Sequence, residues 1–168
     1  MKKLLCLILL SIPLFQIANA QVADPFYKDN WKRVDAYVTK NLLRSAVAEL
    51  DTIYGKAKKD KNTPEVIKAI INLMAHEGSI NDSSTETWIY RLQRDIQSAS
   101  CPEKQLLHSL LAGIYWSYYE YNRYRFYNRT TTINFKNDDI STWDLTHVVD
   151  AALTNYQASL QNADSLQK

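Results

Sequence analysis

Leu43, Ala46, Val47, Leu50, Ile53, Tyr54 and Ala57 recur every three or four positions. That is the 3.6-residue period of a helix with one apolar face, and the alternation of a strand does not produce it. The same spacing returns in Trp31, Val34 and Val38, and in Val66, Ile67, Ile70, Ile71 and Met74. It returns again in Trp88, Ile89, Leu92 and Ile96, and in Leu145, Val148, Val149, Ala152, Leu153, Tyr156 and Leu160. Three glycines and four prolines in 168 residues leave few interruptions. The expected fold class is all-α. About six helices form antiparallel hairpins in one domain over 21–168, stacked as an irregular solenoid or compact bundle. The hairpins are tetratricopeptide-like, but no regular period of 34 residues runs along the chain.

Local chemistry places the boundaries. The first helix is expected over about 24–40 and the second over about 42–61, where lysines in the last turn complement the helix dipole. The third opens at Thr63-Pro64-Glu65, which supplies a cap, a first-turn proline and an acid at the positive end. Gly78 is expected to end it, with a loop over Ser79 to Asp82. Ser83 with Glu86, and Ser100 with Glu103, have capping-box spacing and open the fourth and fifth helices. The fifth runs to about Arg129. A polar stretch from Thr130 to Asp139 follows, and the sixth starts near Ser141.

The first twenty residues carry a different message. Met1-Lys2-Lys3, an apolar run from Leu4 to Ile17, and Ala18-Asn19-Ala20 are the three parts of a signal peptide cleaved after Ala20. The run is shorter than the ~20 residues of a spanning helix. The expected location is therefore periplasmic or extracellular, with no stable membrane span once the leader is gone. Lys2 and Lys3 leave with it, so the 20 basic residues fall to 18, against 18 acidic ones. No basic field remains to attract nucleic acid. Cys6 leaves too, so Cys101 stands alone and is expected as a small buried hydrophobe near a helix start.

Catalytic constellations are sparse. His76, His108 and His147 fall on three different helices, outside any paired metal pattern. Cys101 and Gln105 are four apart rather than the three an internal thioester needs. No Ser-His-Asp order with an elbow glycine and no phosphate loop is present. Asp138-Asp139 reads as a helix boundary. Asn81-Asp82-Ser83 and Asn128-Arg129-Thr130 match the short glycosylation sequon, a weak signal. The chain is thus expected to be no enzyme, with no metal and no cofactor.

The densest signal is aromatic. From Tyr115 to Arg129, rings fall on nearly every side of a helix. One reading is a central core helix with tyrosine tips at the surface. The other is a contact surface for a sugar or an extended peptide, formed by Tyr115, Trp116, Tyr119, Tyr121, Arg123, Tyr124, Arg125 and Tyr127, with the arginines stacking on rings.

Several segments in order carry a family resemblance. They are Trp31, the run Ser45 to Lys59, Asn62-Thr63-Pro64 with Ile67-Lys68-Ala69, and Leu107 to Ala112 with Ile114 to Tyr119. They continue with Arg129-Thr130, Ile140 to Leu145, and Tyr156 to Leu160. In that order the chain resembles the N-terminal helical region of the large alpha-2-macroglobulin-like exported proteins of Bacteroidota-type bacteria. The resemblance implies a docking or scaffolding module whose partner is a protein, such as the downstream domains of a longer relative or of a gene product truncated here. The family's bait segment, thioester and β-sandwich domains have no counterpart in these residues, so none of their functional residues carries over. The rival expectation is a stand-alone secreted helical-repeat protein that holds a peptide or glycan.

Overall fold

The computed structural model describes residues 24–81, 84–127 and 139–162. The described residues form six α-helices and no strand: α1 (Pro25–Thr39), α2 (Leu43–Asp60), α3 (Thr63–Ile80), α4 (Ser84–Ser98), α5 (Glu103–Tyr127) and α6 (Leu145–Ser159). Each packs against the next in sequence, so the chain folds as a series of hairpins. The leader, Ser83, the Asn128 sequon and Asp138 lie outside the described residues.

The ends of the helices follow local chemistry. The Asp24 side chain caps α1 by accepting from the Phe26 N–H, and Pro25 occupies the first turn. Asn62, and not the expected Thr63, caps α3 by accepting from the Glu65 N–H, and Thr63 is already the first helical residue. The α1–α2 and α2–α3 turns are tight because Asn41 and Lys61 adopt left-handed φ values of 55° and 54°. Three boundaries differ from the sequence expectation. α3 continues through Gly78 to Ile80, because a helix interior tolerates an exposed glycine at a cost of about 1 kcal/mol. α5 begins at Glu103, after Pro102. Ahead of α6 the chain makes a short 3-10 turn, Ile140–Thr142, capped by Asp139. Asp144 then caps α6 by accepting from the His147 N–H at 3.0 Å.

One core runs through the stack. Val34, Leu50, Ile53, Ile70, Leu73, Leu92, Leu107 and Val148 are buried in it. Each large aliphatic side chain removed from water contributes roughly 1.5–3 kcal/mol. The buried stripes of α3 and α6 are shifted only at their margins. Val66 and Ile70 are buried as expected, joined by Ala69 and Leu73, whereas Ile71 is 49 % exposed. Val148 and Ala152 form the buried seam of α6, and Leu153, Tyr156 and Leu160 stay exposed. Cys101, expected inside, is exposed.

Polar side chains tie helices two apart. The Trp31 Nε1–H donates to Glu65 Oε2 at 2.7 Å, and the Lys68 ammonium sits 3.7 Å above the Trp31 ring, joining α1 to α3. Between α2 and α4, the Tyr54 hydroxyl donates to the buried Asp95 carboxylate, and Lys58 Nζ donates to its other oxygen at 2.8 Å. Arg91 lies between the rings of Tyr54 and Trp88, 4.6 Å from each, and pairs with Asp51 at 2.9 Å. These contacts fix the tilt of α4, and with it one wall of the groove described next.

Candidate binding face of the fifth helix

α5 is 25 residues long and touches α3, α4 and α6. Leu107, Leu111, Ile114, Tyr115, Tyr118 and Phe126 belong to its buried side. Desolvation holds the Tyr115 phenol above its ordinary range, although Gln93 Nε2 donates to its hydroxyl at 3.0 Å. Tyr115 is therefore part of the core rather than of a contact surface.

The other seven expected surface residues divide between two flanks. On one flank the Trp116 and Tyr119 rings lie 5.3 Å apart, with Arg123 and Tyr127 farther along. Tyr119 also packs against buried Phe126, ring centres 6.1 Å apart. A hydrogen bond with Tyr127 raises the Tyr119 phenol. On the other flank are Tyr121, 91 % exposed, and Arg125, whose Nη1 donates to Asn122 Oδ1 at 3.1 Å. Tyr124 is exposed, and the Arg123 guanidinium lies 5.1 Å from its ring. The rings of the helix thus serve the core on one side and face solvent on the other.

Tyr121 and Arg125 open onto a groove of about 810 Å³ between the end of α3, the start of α4 and the length of α5. Met74, Leu110 and Ile114 supply aliphatic lining, while Thr85, Ser109 and Ser117 supply hydroxyls. Gly113 lies among them, and a Cβ added there would meet no atom within 4 Å among the described residues. Trp88 completes the wall at 2 % exposure. Its indole N–H finds no acceptor among the described residues. The groove was not apparent in the sequence, because its walls come from three helices and its small residues, Ser109, Gly113 and Ser117, carry no pattern of their own.

No group of three or more residues able to hold a metal occurs among the described residues. The His108 Nδ1 lies 2.8 Å from Asn155 Oδ1, and the His147 Nδ1 lies 2.7 Å from the Asp144 cap, so both rings are engaged in joining or ending helices. Among the described residues, no helix is long and apolar enough to cross a membrane. Comparison with protein-family models, with curated proteins and with solved structures returned no match.

Proposed function

We propose that this chain is an exported, non-catalytic helical interaction module that holds a protein partner along α5. One observation carries this reading: Tyr121, Tyr124 and Tyr127 are exposed on a helix whose opposite face is locked in the core. Tyrosine offers a large contact area with only two side-chain torsions to fix, and tyrosine and tryptophan dominate the energetic centres of protein interfaces. The ordered motifs resembling the leading region of alpha-2-macroglobulin-like exported proteins support a docking or scaffolding role. The basic, apolar and small-x-small segments before Gln21 support export.

The test places a photo-crosslinking amino acid at Tyr121, Tyr124 or, as a control on α1, the exposed Lys32, in cells making the full chain. The proposal expects the same protein to be captured from positions 121 and 124 and not from position 32. Absence of any adduct from 121 and 124, or an identical set from all three positions, contradicts it.

A further inference from the structure

Along the solvent side of α5, Trp116, Glu120, Arg123 and Tyr127 are separated by four, three and four positions. That spacing lines them up on one face of the helix, over about 16 Å at a rise of ~1.5 Å per residue. Trp116 is 42 % exposed and Tyr127 67 %, and Glu120 and Arg123 are exposed as well. The order along the face is ring, acid, base, ring, and its spacing reads the same from either end. Among the described residues, neither Glu120 nor Arg123 enters an ion pair. Arg123 Nη2 instead donates to the Tyr124 hydroxyl at 3.4 Å, and Tyr119 is hydrogen-bonded to Tyr127.

We infer that this face pairs with the same face of a second copy of the chain, the two α5 helices running antiparallel, an inference that deepens the interaction-module reading above and rests on it. A copy turned about a two-fold axis level with Tyr121 and Asn122 matches the face group by group. Glu120 comes opposite Arg123 of the second copy, and Trp116 comes opposite Tyr127 of the second copy. The symmetry makes each of these contacts twice. Tyr119 falls beside Tyr124 of the second copy. Alternating steps of three and four are the spacing by which paired helices interdigitate.

Charge complementarity selects this occupant. A partner surface of one sign of charge would meet its like at either Glu120 or Arg123. The chain's own face, run in reverse, meets each charge with its opposite and each ring with a ring. The rings flank the two ion pairs at both ends, where they exclude water and preserve the attraction. The contact spans only about three turns of helix, far less than a full-sized stable interface. The pairing is therefore reversible, and the face is open to solvent in dilute solution.

Sedimentation of the purified full chain over a range of concentrations tests this and should show a reversible monomer–dimer equilibrium. Glu120→Arg alone, or Arg123→Glu alone, sets like charges opposite each other at both contacts and should weaken pairing at least tenfold. The two single variants mixed together restore opposite charges at both contacts, so they should pair with each other about as well as the parent pairs with itself. The double variant, Glu120→Arg with Arg123→Glu, should recover pairing in the same way. Circular dichroism and melting verify that each variant is folded. A photo-crosslinking amino acid at Tyr124, with both charges in place, should join two copies through the segment around Tyr119, which keeps the test decisive even if a charge variant unfolds.

A parent chain that stays monomeric at every concentration would overturn the inference. So would a dimer that ignores both charge reversals, or a crosslink from position 124 that joins copies outside α5. In each of these cases, capture of a different protein from positions 121 and 124 in cells leaves the interaction-module reading standing. Absence of any adduct from those positions strikes that reading itself, and the inference with it.

Discussion

The Tyr115 ring lies stacked on Trp143, with centroids 5.7 Å apart and planes 21° from parallel. The pair fastens the segment ahead of α6 to the centre of α5, and the bond from Gln93 to the Tyr115 hydroxyl ties α4 to the same point. Trp143→Ala removes the stacked ring and leaves a cavity, so it should cost about 3–5 kcal/mol. Trp143→Phe, which keeps a ring, should cost clearly less. Urea titrations followed by circular dichroism measure both.

The Tyr54–Asp95–Lys58 cluster joins α2 to α4 around a carboxylate that is only 5 % exposed. Tyr54→Phe removes one donor to a buried charge and should destabilise by about 1–3 kcal/mol. Asp95→Asn should cost a similar amount. The double variant should cost less than the sum, with a coupling of at least about 0.5 kcal/mol. Strict additivity in a double-mutant cycle would show that the two side chains act independently.

Alkali should unfold the chain through its buried phenols. Desolvation first, and then the bonds to Asp60 and Asp95, raise Tyr27 and Tyr54 well above the ordinary phenol value. Burial likewise raises Tyr115. A raised folded-state pKa keeps its stabilisation intact below the unfolded value of about 10 and loses it as pH rises through the folded one. Stability should therefore fall above about pH 10. The slope should shrink in Tyr54→Phe. Melting across alkaline pH, with tyrosinate absorbance recorded in parallel, tests this.

The acid side has the opposite sign. Lys56 first, and then Tyr27, hold the Asp60 carboxyl below its usual range. Its contribution is present above the unfolded carboxyl value of about 4 and is lost as pH falls through the lower folded value. Asp60→Asn should therefore flatten the decline of melting temperature in acid.

Lys61 holds a left-handed backbone at φ 54° at the end of α2. Glycine takes that conformation without a Cβ penalty. Lys61→Gly should stabilise the chain by about 0.5–1 kcal/mol, raising the melting temperature by a few degrees. A lower melting temperature would mean that the lysine side chain contributes more than its backbone costs.

The helices were legible where a single period ran without competition. In α2, Ala46, Leu50, Ile53 and Ala57 follow one stripe, and all four are buried. In α3, apolar residues occupy two adjacent faces, so periodicity could not choose between Ile71 and Leu73. Tertiary packing chose the face bearing Ala69. The start of α3 was legible to within one residue, since the cap is Asn62 rather than the expected Thr63, whereas Gly78 is a weak stop that the helix runs through. The aromatic richness of α5 was plain in the sequence. Which rings are core depends on Trp143 and Gln93, 28 and 22 residues from Tyr115 along the chain. A one-helix pattern does not contain that information. The groove was illegible for the same reason, since Trp88, Met74 and Gly113 meet only when three helices pack.

The claim that most depends on this packing is that α5 serves core and solvent at once. Tyrosine nitration of the full chain at neutral pH, mapped by peptide mass spectrometry over time, tests it directly. Tyr121, Tyr124 and Tyr127 should react early, while Tyr27, Tyr115 and Tyr118 stay protected until denaturant is added. Tyr115 reacting as fast as Tyr121 in the native chain would contradict the account.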